Sequence, residues 1–146
     1  MSTYVSEELK RLVADRAEYL CEYCLIHEED TFLQCQVDHI ISIKHGGQSD
    51  IDNLAYACAI CNRNKGSDIG SMLLPSREFT RFFNPRTDTW LHHFKLQGAI
   101  ILPRTNIGKV TAQILGFNND GRILERETLI AMGRYPSTSA LLHMKR

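Results

Sequence analysis

Apolar and polar positions follow two rhythms through the first half of the chain. Leu9, Leu12, Val13, Ala17 and Leu20 recur at helical spacing, and Ser6 stands where it can cap a first turn that carries Glu7 and Glu8. This period predicts an amphipathic helix with its acidic residues well placed against the helix dipole. From Phe32 to Ile41 the rhythm shortens to near alternation and predicts a strand; Leu54 to Ala57 predicts a second. Between them, Lys44-His45-Gly46-Gly47-Gln48-Ser49-Asp50 has the residues of a loop. Helical propensity returns through Cys61-Asn62-Arg63-Asn64-Lys65, with Gly66 placed to end it.

Beyond Lys65 the pattern is coarser. Trp90 to Lys95 and Ala99 to Leu102, joined through Gln97-Gly98, predict a strand pair, and Lys109 to Leu115 and Arg122 to Met132 predict helices. The stretch from Arg77 to Arg86 mixes cations with Phe79, Phe82 and Phe83. The aromatic residues are expected in the core with the arginines solvated, although the same mixture also suits a nucleic-acid backbone. No repeat or low-complexity linker interrupts the chain, so residues 1–146 are expected to form a single domain.

Composition changes this picture little. A chain of 146 residues can bury roughly two thirds of its unfolded surface, enough for a core without a metal. The zero net charge conceals a gradient: four Lys/Arg against eleven Asp/Glu in residues 1–60, six against three in 61–95, and seven against three in 96–146. A basic distal half suits a phosphate backbone, and a solvated mixed surface explains it equally well. Charges throughout the first twenty residues argue against a secretory segment, and the longest apolar run, Leu54 to Cys61, is far short of the ~18 residues of a membrane span. A cytosolic, cytoplasmic protein with reduced cysteines and no membrane partner is expected.

The chemistry is concentrated in Cys21-Glu22-Tyr23-Cys24 and Cys58-Ala59-Ile60-Cys61. Each pair places two sulfurs on one side of a tight knuckle, and two pairs complete the four-sulfur tetrahedron that zinc favours. Two disulfides or a redox pair are the alternatives. A closed thiolate shell leaves no position for substrate, so such a zinc is structural and any reaction belongs to neighbouring residues. Cys35 has no partner at knuckle spacing and reads as a small buried thiol in the first strand.

Taken together, Cys21-x-x-Cys24, Val37-Asp38-His39-Ile40-Ile41, His45-Gly46-Gly47, Asp52-Asn53-Leu54 and Cys58-x-x-Cys61-Asn62-x-x-Lys65 resemble the HNH endonuclease family. The likeness is to the four-cysteine zinc-containing subgroup and to small stand-alone bacterial members. The family's first histidine matches His39 and its asparagine matches Asn53, whereas the last histidine falls at Asn62, a His-Asn-Asn variant. The resemblance implies an α+β chain: a ββα-metal nuclease core at about residues 20–68, preceded by the N-terminal helix and followed by an α/β extension, about residues 69–146, packed on it.

It also implies a reaction, the hydrolysis of DNA phosphodiester bonds by nicking or double-strand cleavage, leaving 5′-phosphate and 3′-hydroxyl ends. His39 would be the general base, since imidazole can accept a proton from water near neutral pH. Asp38 and the Asn62 amide oxygen would hold one divalent ion, and such oxygen donors suit Mg2+ or Mn2+. Asp38 and His39 are adjacent on a strand, so a bulge or twist is needed to aim both at one phosphate. Asn53 would brace the loop behind His39, with a simple Asx cap as the other reading. Lys65, Arg63 and His45 would touch substrate, although basic residues also end helices for the dipole and His45 also suits a plain turn. The competing class is a zinc-stabilised nucleic-acid-binding module without catalysis; a protein-interaction zinc module ranks below both.

Overall fold

Ser6 caps the first helix as expected. In a computed structural model that describes residues 4–146, α1 spans Glu7–Arg16 and the Ser6 side chain accepts the Leu9 amide at 3.1 Å. Val13 and Ala14 are buried, but Leu12 is 53% exposed, so the apolar face is narrower than the period implies. The helix also stops short of Leu20. Glu18 and Tyr19 adopt positive φ, an uncommon conformation for residues with a side chain. Both residues lie in the turn that ends the helix, where the Tyr19 amide donates to Ala14 O and the Leu20 amide to Ala17 O, and just before it Arg16 donates to Ile51 O at 2.8 Å and to Leu54 O. The chain then doubles back between Leu20 and His27, with Cys21 N on Ile26 O and Leu25 N on Cys21 O, both 2.9 Å.

The core motif follows in the predicted order: its first strand is shorter than the pattern implies, its second strand has the expected bounds, and its helix begins two residues earlier. Strand β1 is Gln36–His39, β2 is Leu54–Ala57, and they pair antiparallel with Asp38 opposite Ala55 and His39 opposite Leu54. Cys35 is buried just before β1 and not within it. Helix α2 spans Ala59–Lys65; Cys58 caps it through its sulfur and Gly66 ends it at φ +53°. One short helical turn, Ile43–His45, opens the expected loop, and a second, Ile51–Asn53, follows it.

The C-terminal extension is richer than its sequence pattern. A hairpin of β3 (Gly70–Leu73) and β4 (Glu78–Arg81) was not anticipated, and neither was α6 (Thr138–Met144). The expected strand pair is β5 (Phe94–Gln97) and β6 (Ile100–Pro103), with Trp90–His93 forming a helical turn, α3, in place of strand. Helices α4 (Asn106–Ile114) and α5 (Asp120–Ala131) lie close to their predicted positions. Phe82 and Phe83 enter the core, but Phe79 is 59% exposed, its ring lying over Gly70. Nor are all the arginines solvated: Arg86 is largely buried and paired with Glu22.

A line of aromatic rings connects the two parts of the chain. Tyr23 meets Phe83 with centroids 6.5 Å apart, Phe83 meets Phe94 at 5.5 Å, and Phe94 meets both Trp90 and Phe117. Edge-on contacts of this kind add roughly 0.5–1.5 kcal/mol each beyond area burial. The Trp90 indole also donates to Tyr23 O at 2.9 Å, linking α3 to the first cysteine knuckle.

Candidate active site and metal centre

The two knuckles bring the sulfurs of Cys21, Cys24, Cys58 and Cys61 within 4.8 Å of one another, all four buried. None is in a disulfide. A zinc tetrahedron with ~2.3 Å bonds has edges of about 3.8 Å; Cys24 and Cys58 stand 3.8 Å apart. Donor type, number and spacing therefore fit zinc. The Cys24 amide donates to Cys21 Sγ and the Cys61 amide to Cys58 Sγ, both at 3.4 Å, as knuckle geometry requires. Hydrogen bonds from Cys21, Cys24 and Cys61 outweigh burial and hold the Cys58 thiol far below its usual range.

The knuckle reaches the second centre through Tyr23. Asp38, in the middle of β1, is 4% exposed; its Oδ2 accepts the Tyr23 hydroxyl at 2.7 Å and its Oδ1 the Lys65 ammonium at 3.2 Å. Lys65 also donates to His39 O at 2.9 Å. Burial pushes the Asp38 carboxyl up, and Lys65 and Tyr23 oppose that shift. Neither partner was singled out for this role by the sequence: Tyr23 carries no motif signal beyond its place between two cysteines.

Asp38, His39 and Asn62 line one open depression of about 290 Å³, with Val37, Ser42, Ile43, Gly66 and Ser67. No bulge is required: the β1–β2 register is regular through Asp38 and His39, and His39 is the last residue of the strand. The His39 ring meets Ser49 Oγ through Nε2 at 2.9 Å, and its Nδ1 makes no hydrogen bond among the described residues. Asn62 donates through Nδ2 to Gln36 Oε1, which leaves its Oδ1 uncommitted among those residues.

Asn53 acts as a clamp. Its Oδ1 accepts the Ile41 amide, and its Nδ2 donates to Ile41 O and Gln48 O, all at 2.9 Å. These bonds tie the end of β1 to the loop that carries Ser49. Gly47 makes the closure feasible, because a Cβ there would stand 1.6 Å from Ile41 O.

The three residues expected to touch substrate stand elsewhere. Lys65 is 1% exposed and spent on Asp38 and the His39 carbonyl, so it cannot also hold a phosphate at the surface. Arg63 is exposed but lines a different depression, with Ile60, Arg122 and Glu125, because adjacent positions on a helix face different ways. His45 lines a neighbouring groove of about 480 Å³ with Ile41, Phe79 and Arg81.

Oxygen donors for a hard divalent ion are present in the depression: the Asp38 carboxylate, each oxygen of which retains a lone pair, and Asn62 Oδ1. The set fits magnesium or manganese, with Lys65 offsetting part of the carboxylate charge. Among the described residues, no helix is long and apolar enough to cross a membrane. Residues 21–68 match a family model described as HNH endonuclease. No curated protein and no solved structure matches the chain.

Proposed function

From the HNH endonuclease domain that residues 21–68 carry, we propose that this protein is a metal-dependent nuclease that hydrolyses phosphodiester bonds in DNA. The observation that supports this reading most is the convergence of Asp38, His39 and Asn62 on one open depression, with Asn53 clamping the loop behind them. Asp38 and Asn62 are the residues to hold a divalent ion, which when bound supplies positive charge to the phosphate under attack.

The chain's own residues supply the rest. His39 takes a proton from the attacking water through Nδ1, the nitrogen with no other partner among the described residues. That role requires the tautomer in which Nε2–H donates to Ser49 Oγ, so Ser49 is a positioning residue that keeps Nδ1 free. The water oxygen bonds to phosphorus as the bond to the 3′ oxygen breaks, and the departing oxygen takes a proton from solvent water, leaving a 5′-phosphate and a 3′-hydroxyl. Asn53 and Gly47 hold the His39 and Ser49 segments at fixed separation. Tyr23 and Lys65 hold Asp38, so the cysteine knuckle sets the carboxylate's place in the depression.

Plasmid nicking by wild type and His39→Ala, each with magnesium, manganese or EDTA at low salt, tests the reading. Metal-dependent nicking by wild type, reduced at least 10²-fold in His39→Ala with DNA affinity kept within a few-fold, is the expected result. DNA binding without cleavage under every metal would favour a binding module instead.

A further inference from the structure

Four thiolates around a divalent zinc carry a net charge of about −2, and a buried net charge is costly unless it is compensated. The segments that donate the sulfurs contain no cation placed to do this. The compensation comes from α5, in the C-terminal extension. Arg122 is 5% exposed and directs its guanidinium at the cluster: Nη2 lies 3.0 Å from Cys24 Sγ and Nη1 3.5 Å from Cys58 Sγ. Its Nε faces Glu125 at 3.4 Å, one turn further along the helix. The extension also reaches the knuckle through Tyr135, whose hydroxyl donates to Cys24 O at 2.8 Å.

We propose that Arg122 is part of the zinc centre, neutralising the tetrathiolate and making tight zinc retention depend on the C-terminal extension. This rests on the four-cysteine cluster being a zinc site. The opposing explanation is that Arg122 merely packs α5 against the core and pairs with Glu125. The two differ in how the cost of losing the guanidinium depends on metal. A packing residue costs the same with or without zinc. A charge-compensating residue costs most when all four sulfurs are ionised around zinc, and less when the metal is gone and most of that negative charge with it.

The test uses the full chain as wild type, Arg122→Met, Arg122→Lys and Glu125→Gln. Zinc content is measured first, then release to a chromogenic chelator, then melting with and without zinc. Wild type should carry one zinc per chain, and Arg122→Met should hold it about 10–100-fold less tightly, the range seen when outer hydrogen-bond partners of metal ligands are removed. Arg122→Lys, which keeps the charge without the fork, should fall between; Glu125→Gln should stay close to wild type. The rise in melting temperature on zinc binding should be smaller in Arg122→Met than in wild type. Wild-type zinc retention by Arg122→Met, or an equal loss of melting temperature with and without zinc, would overturn the proposal. If Arg122→Met does not fold, wild-type retention by Arg122→Lys would overturn it. Wild type devoid of zinc would overturn the metal centre itself.

Discussion

Lys65 and Asp38 show how far a residue's setting can change its role. On the last turn of a short helix, a lysine reads from the sequence as a solvated cation available to a phosphate. In the fold it lies over a buried carboxylate and the carbonyl of the next residue. Removing one member of a buried ion pair leaves the other uncompensated, at a cost of roughly 3–5 kcal/mol. Lys65→Met should therefore lower unfolding free energy by about that amount in denaturant melts. A phosphate-binding lysine at the surface would leave stability nearly unchanged and lose only DNA affinity. Ser49 makes the complementary case. Its hydroxyl meets the His39 ring, so Ser49→Ala should slow cleavage by about tenfold while DNA affinity and zinc content stay at wild-type values. His39, Asn53 and Asn62 were visible because they sit in a motif; Ser49 and Tyr23 were not, since each is defined by a partner at least ten residues away.

At the scale of elements, the loop between β1 and β2 depends on two adjacent glycines for different reasons. Gly46 adopts φ +88° with open space where a Cβ would be, whereas Gly47 is pressed against the Ile41 carbonyl. Gly46→Ala should cost about 1 kcal/mol of backbone strain. Gly47→Ala must displace backbone and break the Asn53 clamp, so it should cost more and should abolish cleavage as well; thermal melts and nicking assays on the pair separate the two. The link from β4 to α3 has its own fastening. Asp88 accepts from Arg81 and from the Asn84 amide, and although burial raises its carboxyl these donors bring it below the usual carboxylate range. A depressed native value stabilises the fold fully above the unfolded value of about pH 4, and that contribution fades as pH falls through the native value. Asp88→Asn should thus lose about 1 kcal/mol at neutral pH, a modest figure because Arg81 is half exposed. The gap to wild type should narrow in melts as the pH is lowered further below that unfolded value.

Across the whole molecule, the cysteine cluster, the depression and the extension form one connected arrangement. The knuckle carries Tyr23, Tyr23 holds Asp38, Trp90 holds Tyr23, and Arg122 faces the sulfurs. Loss of zinc should then be felt beyond the knuckles. Cys58→Ser, or exhaustive chelation, should lower the melting temperature by roughly 10 °C, about 3 kcal/mol for a chain of this size, and should reduce cleavage in parallel. Stability unchanged after zinc removal would contradict this coupling.

What could be read along the chain was local or motif-bound: the Ser6 cap, the two knuckles, the strand, loop, strand, helix order, and the His39, Asn53 and Asn62 register. These depend on spacing, capping and turn chemistry, which act over a few residues. Three-dimensional packing alone decided that Lys65 is buried, that Arg63 faces away from Asp38, that Phe79 is left outside the core, and that Arg122 completes a cluster whose nearest cysteine in the chain is more than sixty residues away. For Lys65 and Arg122 the deciding contact joins distant segments, and its energy comes from pairing charge in a place that no local pattern specifies.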